Sequence, residues 1–260
     1  MTDSLVAVEV AHGVGRLRLD RPDKRNALNA DLSREVLQAM ARLDADDAVV
    51  CIVIEGTDGS FCAGADMGEA MAAYEVGDYR FNPSQDAANR VGASTKPTIA
   101  AVDGPAYGAG ALLACSCDIR IASDRARFRF PGAEYGLVVG AHALPALVGG
   151  PLAKELIFTG RVVDAEEAQR IGLVNRTVAI DGFAAAVEEV AAAIAASSPL
   201  ALAWSKATIA TAKTGGNALA VEQQADLVLR GGADHMSRFG AATQRVTGRH
   251  AAPGTTGDAS

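Results

Sequence analysis

Two apolar runs, "AVVCIVIEG" ending at Gly56 and "TIAAVDG" ending at Gly104, each empty into a loop of small residues that opens a helix. A continuous apolar run that stops at glycine suits a strand covered on both faces. The two loops are "FCAGADMGE" (Phe61–Glu69) and "GPAYGAGALL" (Gly104–Leu113). "DIRIAS" reads as another such strand, with the "GAGALLACS" helix in front of it. Strands alternating with helices point to an α/β fold with stacked turns. The start of a helix leaves backbone N–H groups without partners. Two such loops after two strands of one sheet would bring two sets of N–H donors to the same end of it.

The rest of the chain fits around this arrangement. Val6, Val8 and Val10, then Val14, Leu17 and Leu19 across "HGVG", predict a hairpin of two half-buried strands. Pro22 and Asn29 mark a turn and a helix entry, and Leu32, Val36, Met40 and Leu43 recur at helical spacing. Asp164, with Glu167 three residues on and Gly172 beyond, predicts a capped helix and its stop. Residues 182–196, 200–213 and 217–230 read as alanine-rich helices, and the tail "AAPGTTGDAS" has no apolar anchor.

Several function classes are disfavoured. A net charge of −7 argues against a nucleic-acid partner. No run of eighteen apolar residues occurs, so no membrane span is expected. The opening "MTDSLVAVEV" lacks the basic flank and apolar core of a signal peptide, which implies a cytoplasmic protein. Cys51, Cys62, Cys115 and Cys117 lie in apolar segments without zinc-site spacing and read as reduced, buried thiols. Gly108-Ala109-Gly110 starts a dinucleotide fingerprint, but Leu113 stands where its third glycine belongs.

What remains is the pair of N–H-bearing loops, together with the cationic turn "KRNALN" (Lys24–Asn29). Two converging donors at helix starts can form an oxyanion hole, which polarises a carbonyl and holds an enolate or tetrahedral oxyanion.

"RPDKRNALN", "GSFCAGADMGE", "KPTIAAVDGPAYGAGALLACSCDIRIAS" and "KELIFTGRVVDAEEAQRIGLVNRTV" together resemble the enoyl-CoA hydratase/isomerase family, the crotonase superfamily, from about Leu5 to about Ala233. The resemblance implies a crotonase-type α/β spiral of ββα turns with a C-terminal α-helical trimerisation region. Residues 1–195 would form the spiral core, 196–248 the helical region and 249–260 a disordered tail. It implies an acyl-CoA thioester as ligand, a homotrimer or hexamer, and no metal or separate cofactor, since coenzyme A enters as part of the substrate. By motif position, Ala65 and Ala109 would supply the oxyanion-hole N–H groups. Lys24, Arg25 and Ala27 would lie along the CoA phosphates and pantetheine, with Ala63, Asp66 and Met67 bordering the adenine.

The chain departs from the family at the proton carriers. Family hydratases carry one glutamate in a "GGGCE" pattern and a second in a "GQPE" pattern; here those places fall on Leu112 and Gly132. Neither can move a proton. The segment after the second place, "VVGAHALPALVG", is also shorter than the family's by about three residues. Glu134 and His142 are the candidates for a displaced base, Glu134 because an extended segment would put it on the same face as residue 132. Tyr107 and Tyr135 read as packing aromatics, Asp66 as a helix cap, and Glu69 and Glu75 as water-facing residues over the acyl pocket. Two readings stay open: an enzyme of the family that works without paired-glutamate hydration, and a non-catalytic acyl-CoA-binding or carrier protein.

Overall fold

The predicted alternation is built as two sheets and eleven helices in a computed structural model that describes residues 4–247. In chain order the elements are β1 (Val6–Ala11), β2 (Val14–Leu19), α1 (Ala30–Ala45), β3 (Cys51–Gly56), α2 (Met67–Glu75), α3 (Pro83–Gly92), β4 (Thr98–Val102), β5 (Pro105–Tyr107), α4 (Ala109–Ser116), β6 (Ile119–Ser123) and β7 (Arg127–Arg129). There follow α5 (Pro145–Val148), α6 (Gly150–Thr159), β8 (Val163–Asp164), α7 (Ala165–Arg170), β9 (Arg176–Val178), α8 (Ile180–Ala195), α9 (Pro199–Lys213), α10 (Ala218–Leu229) and α11 (Ala233–Thr247).

The larger sheet has the order β1-β2-β3-β4-β6-β9, antiparallel only between β1 and β2. Alternate residues of its central strands serve two different cores. Leu17, Ile52, Ile54, Ala100, Val102 and Ala122 face a core shared with α1, α3 and α4. Val14, Cys51, Val53, Ile99, Ala101 and Ile121 face a second core closed by Ala186, Val187 and Ala191 of α8. Double coverage is why β3 and β4 read as unbroken apolar strings. The smaller sheet, β5-β7-β8, carries the chain from β4 into α4.

The chain divides into two compact units between Pro199 and Leu200. The first holds both sheets with α1 to α8, and the second is helical. Helices α3 and α11 add to those read from the sequence. The expected disordered tail lies outside the described residues. Among the described residues no single helix is long and apolar enough to cross a membrane.

Candidate functional site

β3 and β4 are parallel neighbours, so the loops that follow them leave the sheet at the same end. Three segments meet there. Cys62 pairs with Ala106 in a parallel bridge, its N–H donating to Pro105 O at 3.0 Å while Tyr107 N–H donates back to Cys62 O at 3.1 Å. On the other side Leu28 bridges Ala65: Leu28 N–H donates to Gly64 O at 2.8 Å and Asp66 N–H to Leu28 O at 2.9 Å. Ala63 N–H donates to Arg25 O at 3.0 Å. The loop carrying Ala63–Asp66 is thereby held between the cationic turn and the β5–α4 corner.

These bonds leave two donors over. Neither Ala65 N–H nor Ala109 N–H has a hydrogen-bond acceptor among the described residues, Ala109 being the first residue of α4. The donors belong to touching loops, since a methyl placed on Gly64 would come within 3.8 Å of Ala109 N. Ala65 is exposed and Ala109 half-buried, so both stand at a surface. α4 can approach so closely because residue 110 is glycine: a Cβ there would sit 2.1 Å from Cys62 O. The N-cap of α4 is Gly108 and its first turn holds no acidic residue, so the positive end of the helix faces outward without a side-chain counter-charge.

At the two positions where the resemblance leads to an expectation of proton carriers, the side chains are apolar or absent. Leu112 is 1% exposed inside the core of α1, α3 and α4. Gly132 is buried under its own loop, where an added Cβ would stand 2.9 Å from Leu137 O and 3.0 Å from Val139 N. Residues 133–135 form a short 3-10 turn, not the extended segment expected, so Glu134 does not follow the alternation that would place it on the face of residue 132. Its carboxylate is paired with Arg129, whose Nε donates to Gly160 O at 2.6 Å. His142 and Tyr135 are exposed, and Tyr107 is half-buried on β5. Glu69 is not a free water-facing residue, because its carboxylate accepts from Ala30 N–H at 2.8 Å. Glu75 is exposed. Cys62 is fully buried, and desolvation pushes its thiol up to about 12, so it is no nucleophile at neutral pH.

The residues expected along a CoA ligand flank the same end. Lys24, Arg25 and Met67 are exposed, Ala27 and Ala63 half-buried. Asp66 caps α2, accepting from Gly68 N–H at 3.1 Å and Glu69 N–H at 3.2 Å. Its other oxygen accepts from Arg21 Nη1 at 2.7 Å, and the Arg21 guanidinium is the main reason its carboxyl lies below the ordinary carboxylate range.

Two organising residues escaped the sequence analysis. Asn26 is fully buried with φ 58°, accepts from Arg21 N–H at 2.9 Å, and donates to Thr57 O at 3.1 Å and Ser60 O at 2.7 Å. The tolerance of asparagine for left-handed backbone was the signal for it. Arg21 reaches across 45 residues to Asp66, for which no local signal exists. A separate open groove of about 510 Å³ lies on the α8 side of the large sheet, where Arg16 is engaged by Glu55 and Glu188, and Arg18 by Glu55.

The family model described as enoyl-CoA hydratase/isomerase matches residues 9–239. A crotonyl-CoA hydratase of Syntrophomonas wolfei is 38% identical over 211 residues, covering 78% of this chain and 80% of the relative. A short-chain-enoyl-CoA hydratase of Clostridium acetobutylicum is 36% identical over 209 residues, with the same shares of 78% and 80%. Among solved structures, an enoyl-CoA hydratase from Bacillus anthracis superposes with a TM-score of 0.87 at 27% identity, covering 95% of this chain and 98% of that one. On a family model that spans most of the chain and relatives more than a third identical, the chain belongs to the enoyl-CoA hydratase/isomerase family.

Proposed function

We propose that this protein binds an acyl-CoA thioester with the thioester carbonyl between the N–H groups of Ala65 and Ala109, and that it does not catalyse paired-glutamate hydration. The observation that carries the reading is the pair of acceptor-free N–H groups on touching loops. Donors fixed in this way favour an oxygen that gains negative charge, and the loss of one such donor costs enzymes about 3–4 kcal/mol in the transition state. The exposed cations Lys24 and Arg25 support the reading, since such groups would pair with CoA phosphates. The resemblance puts the two glutamates of family hydratases at Leu112 and Gly132, and neither residue has a titratable proton. Without such glutamates the general acid–base contribution, about 10²–10⁴-fold, is missing.

A second reading, a non-catalytic acyl-CoA carrier, is favoured by one observation: the place of residue 132 is filled by the backbone of Leu137–Val139. In either reading the exposed Leu200, Ile209, Leu219, Leu227 and Phe239 support association of the helical unit into a trimer or hexamer.

The test is paired. Binding of a medium-chain 2-enoyl-CoA is measured by calorimetry, and its turnover by loss of the conjugated-thioester absorbance. Binding with no turnover identifies a carrier. Turnover abolished by Glu134→Gln or His142→Ala identifies an enzyme with a displaced base. Absence of binding overturns both readings.

A further inference from the structure

The peptide that carries the Ala65 N–H is one link in a longer chain of dipoles. Its carbonyl, Gly64 O, accepts from Leu28 N–H at 2.8 Å. The peptide that carries the Leu28 N–H ends in Ala27 O, and that oxygen accepts from Arg21 Nη1 at 3.1 Å. A trans peptide is planar, so its C=O and N–H point in opposite directions. A donor bound at the oxygen therefore orients the N–H on the far side and draws electron density from it. Linked hydrogen bonds strengthen one another in this way, by about 10–30% per bond. From end to end the order is guanidinium, Ala27–Leu28 peptide, Gly64–Ala65 peptide, open donor.

We propose that Arg21 is a positioning residue for the ligand site, aligning and polarising the Ala65 N–H through the two intervening peptide units. The ligand that benefits is one whose carbonyl oxygen gathers charge, and for its identity this rests on the acyl-CoA reading. Alignment of the N–H in the free protein does not depend on that reading.

The surroundings of Arg21 suit such a role. Its guanidinium is fixed by Asp66 at 2.7 Å, with the two side chains 16% and 20% exposed. Asp66 is also the residue after Ala65, and its N–H returns to Leu28 O, so the same two segments are tied at both edges of the relay. The second donor has no equivalent. The carbonyl of the Gly108–Ala109 peptide accepts from Leu112 N–H at 3.0 Å, a neutral donor within a helix. Ala109 is therefore a control inside the same site.

Labelling with carbonyl-¹³C glycine and ¹⁵N alanine selects the Gly–Ala peptides, Gly64–Ala65 and Gly108–Ala109 among them. In the ligand-free protein Arg21→Met is expected to move the Ala65 amide proton upfield and leave that of Ala109 in place. Arg21→Lys, which keeps a cation, is expected to move it less and serves alone if Arg21→Met does not fold. A bound dimethylaminocinnamoyl thioester of CoA is expected to show a smaller red shift in the variants. Ala65 and Ala109 resonances that move together, or an Ala65 resonance that stays in place in every folded variant, overturn the proposal. Failure of the wild type to bind the thioester overturns the functional reading instead and leaves the amide comparison decisive.

Discussion

Gly132 and Leu137 close on each other: Leu137 N–H donates to Gly132 O at 2.8 Å, and Leu137 O lies 2.9 Å from where a side chain of residue 132 would begin. The loop has folded into the volume that a carboxylate would need. Gly132→Ala is expected to lower stability by about 1–3 kcal/mol through overpacking against backbone, read as a lower midpoint in urea. Leu112→Glu with Gly132→Glu is expected to give no hydratase activity, measured as the rate of thioester absorbance loss, because residue 132 has no room and residue 112 would bury a charge.

Asn26 satisfies two carbonyls of the β3–α2 loop from a fully buried position. Asn26→Ala orphans Ser60 O and the Arg21 N–H, leaves Thr57 O with only the 3.3 Å bond from Ser60 N–H, and keeps a Cβ at φ 58°. The expected loss is about 3 kcal/mol, with Asn26→Asp no better because it turns an anion towards two oxygens. Chemical denaturation of each variant measures this, and Asn26→Gly separates the backbone component from the side-chain one.

Burial holds the Cys62 thiol neutral, up to about 12 from an ordinary 9.0. In the unfolded chain it ionises first, so its contribution to stability is complete below 9.0 and is lost as pH rises from there towards 12. All four cysteines are buried. A thiol reagent at pH 8 is expected to label none of them in the native protein and all of them after denaturation.

Glu167 meets Arg161 through two bonds of 2.8 Å, and that partner holds its carboxyl below the ordinary 4.5. A depressed carboxylate stabilises the fold above its unfolded value, and the stabilisation disappears as pH falls through the folded one. With both side chains partly exposed the effect is up to about 1 kcal/mol. Thermal melts in this acid range are expected to show a shallower pH dependence for Glu167→Gln than for the wild type.

Strands β3 and β4 are legible in the sequence because coverage on both faces leaves apolar strings bounded by glycine, and helix α4 because it opens at Gly108 on an apolar run. The place of the two donors is legible too, since it follows from strand direction and loop composition. Helix α3 starts from the Asn82-Pro83 cap, a readable signal in an otherwise polar stretch. α11 spaces Met236, Phe239 and Val246 among polar residues, a pattern weaker than those of the alanine-rich helices before it. The attachments of Arg21, Asn26 and Glu69 were not legible, because their partners are 31 to 45 residues away. Glu134 departs from its expected place for a related reason: alternation assumes a strand, and residues 133–135 turn instead.

The open end of α4 offers only peptide groups, with no ionisable side chain in its first turn. Peptide dipoles neither gain nor lose a proton across the physiological range, and an arginine does not either. A carbonyl seated against Ala65 and Ala109 would therefore meet the same field in neutral and mildly acidic surroundings. That constancy would end only where Asp66 takes up a proton, below the ordinary carboxylate range. Binding of a carbonyl there would follow pH as a plateau with an acid edge.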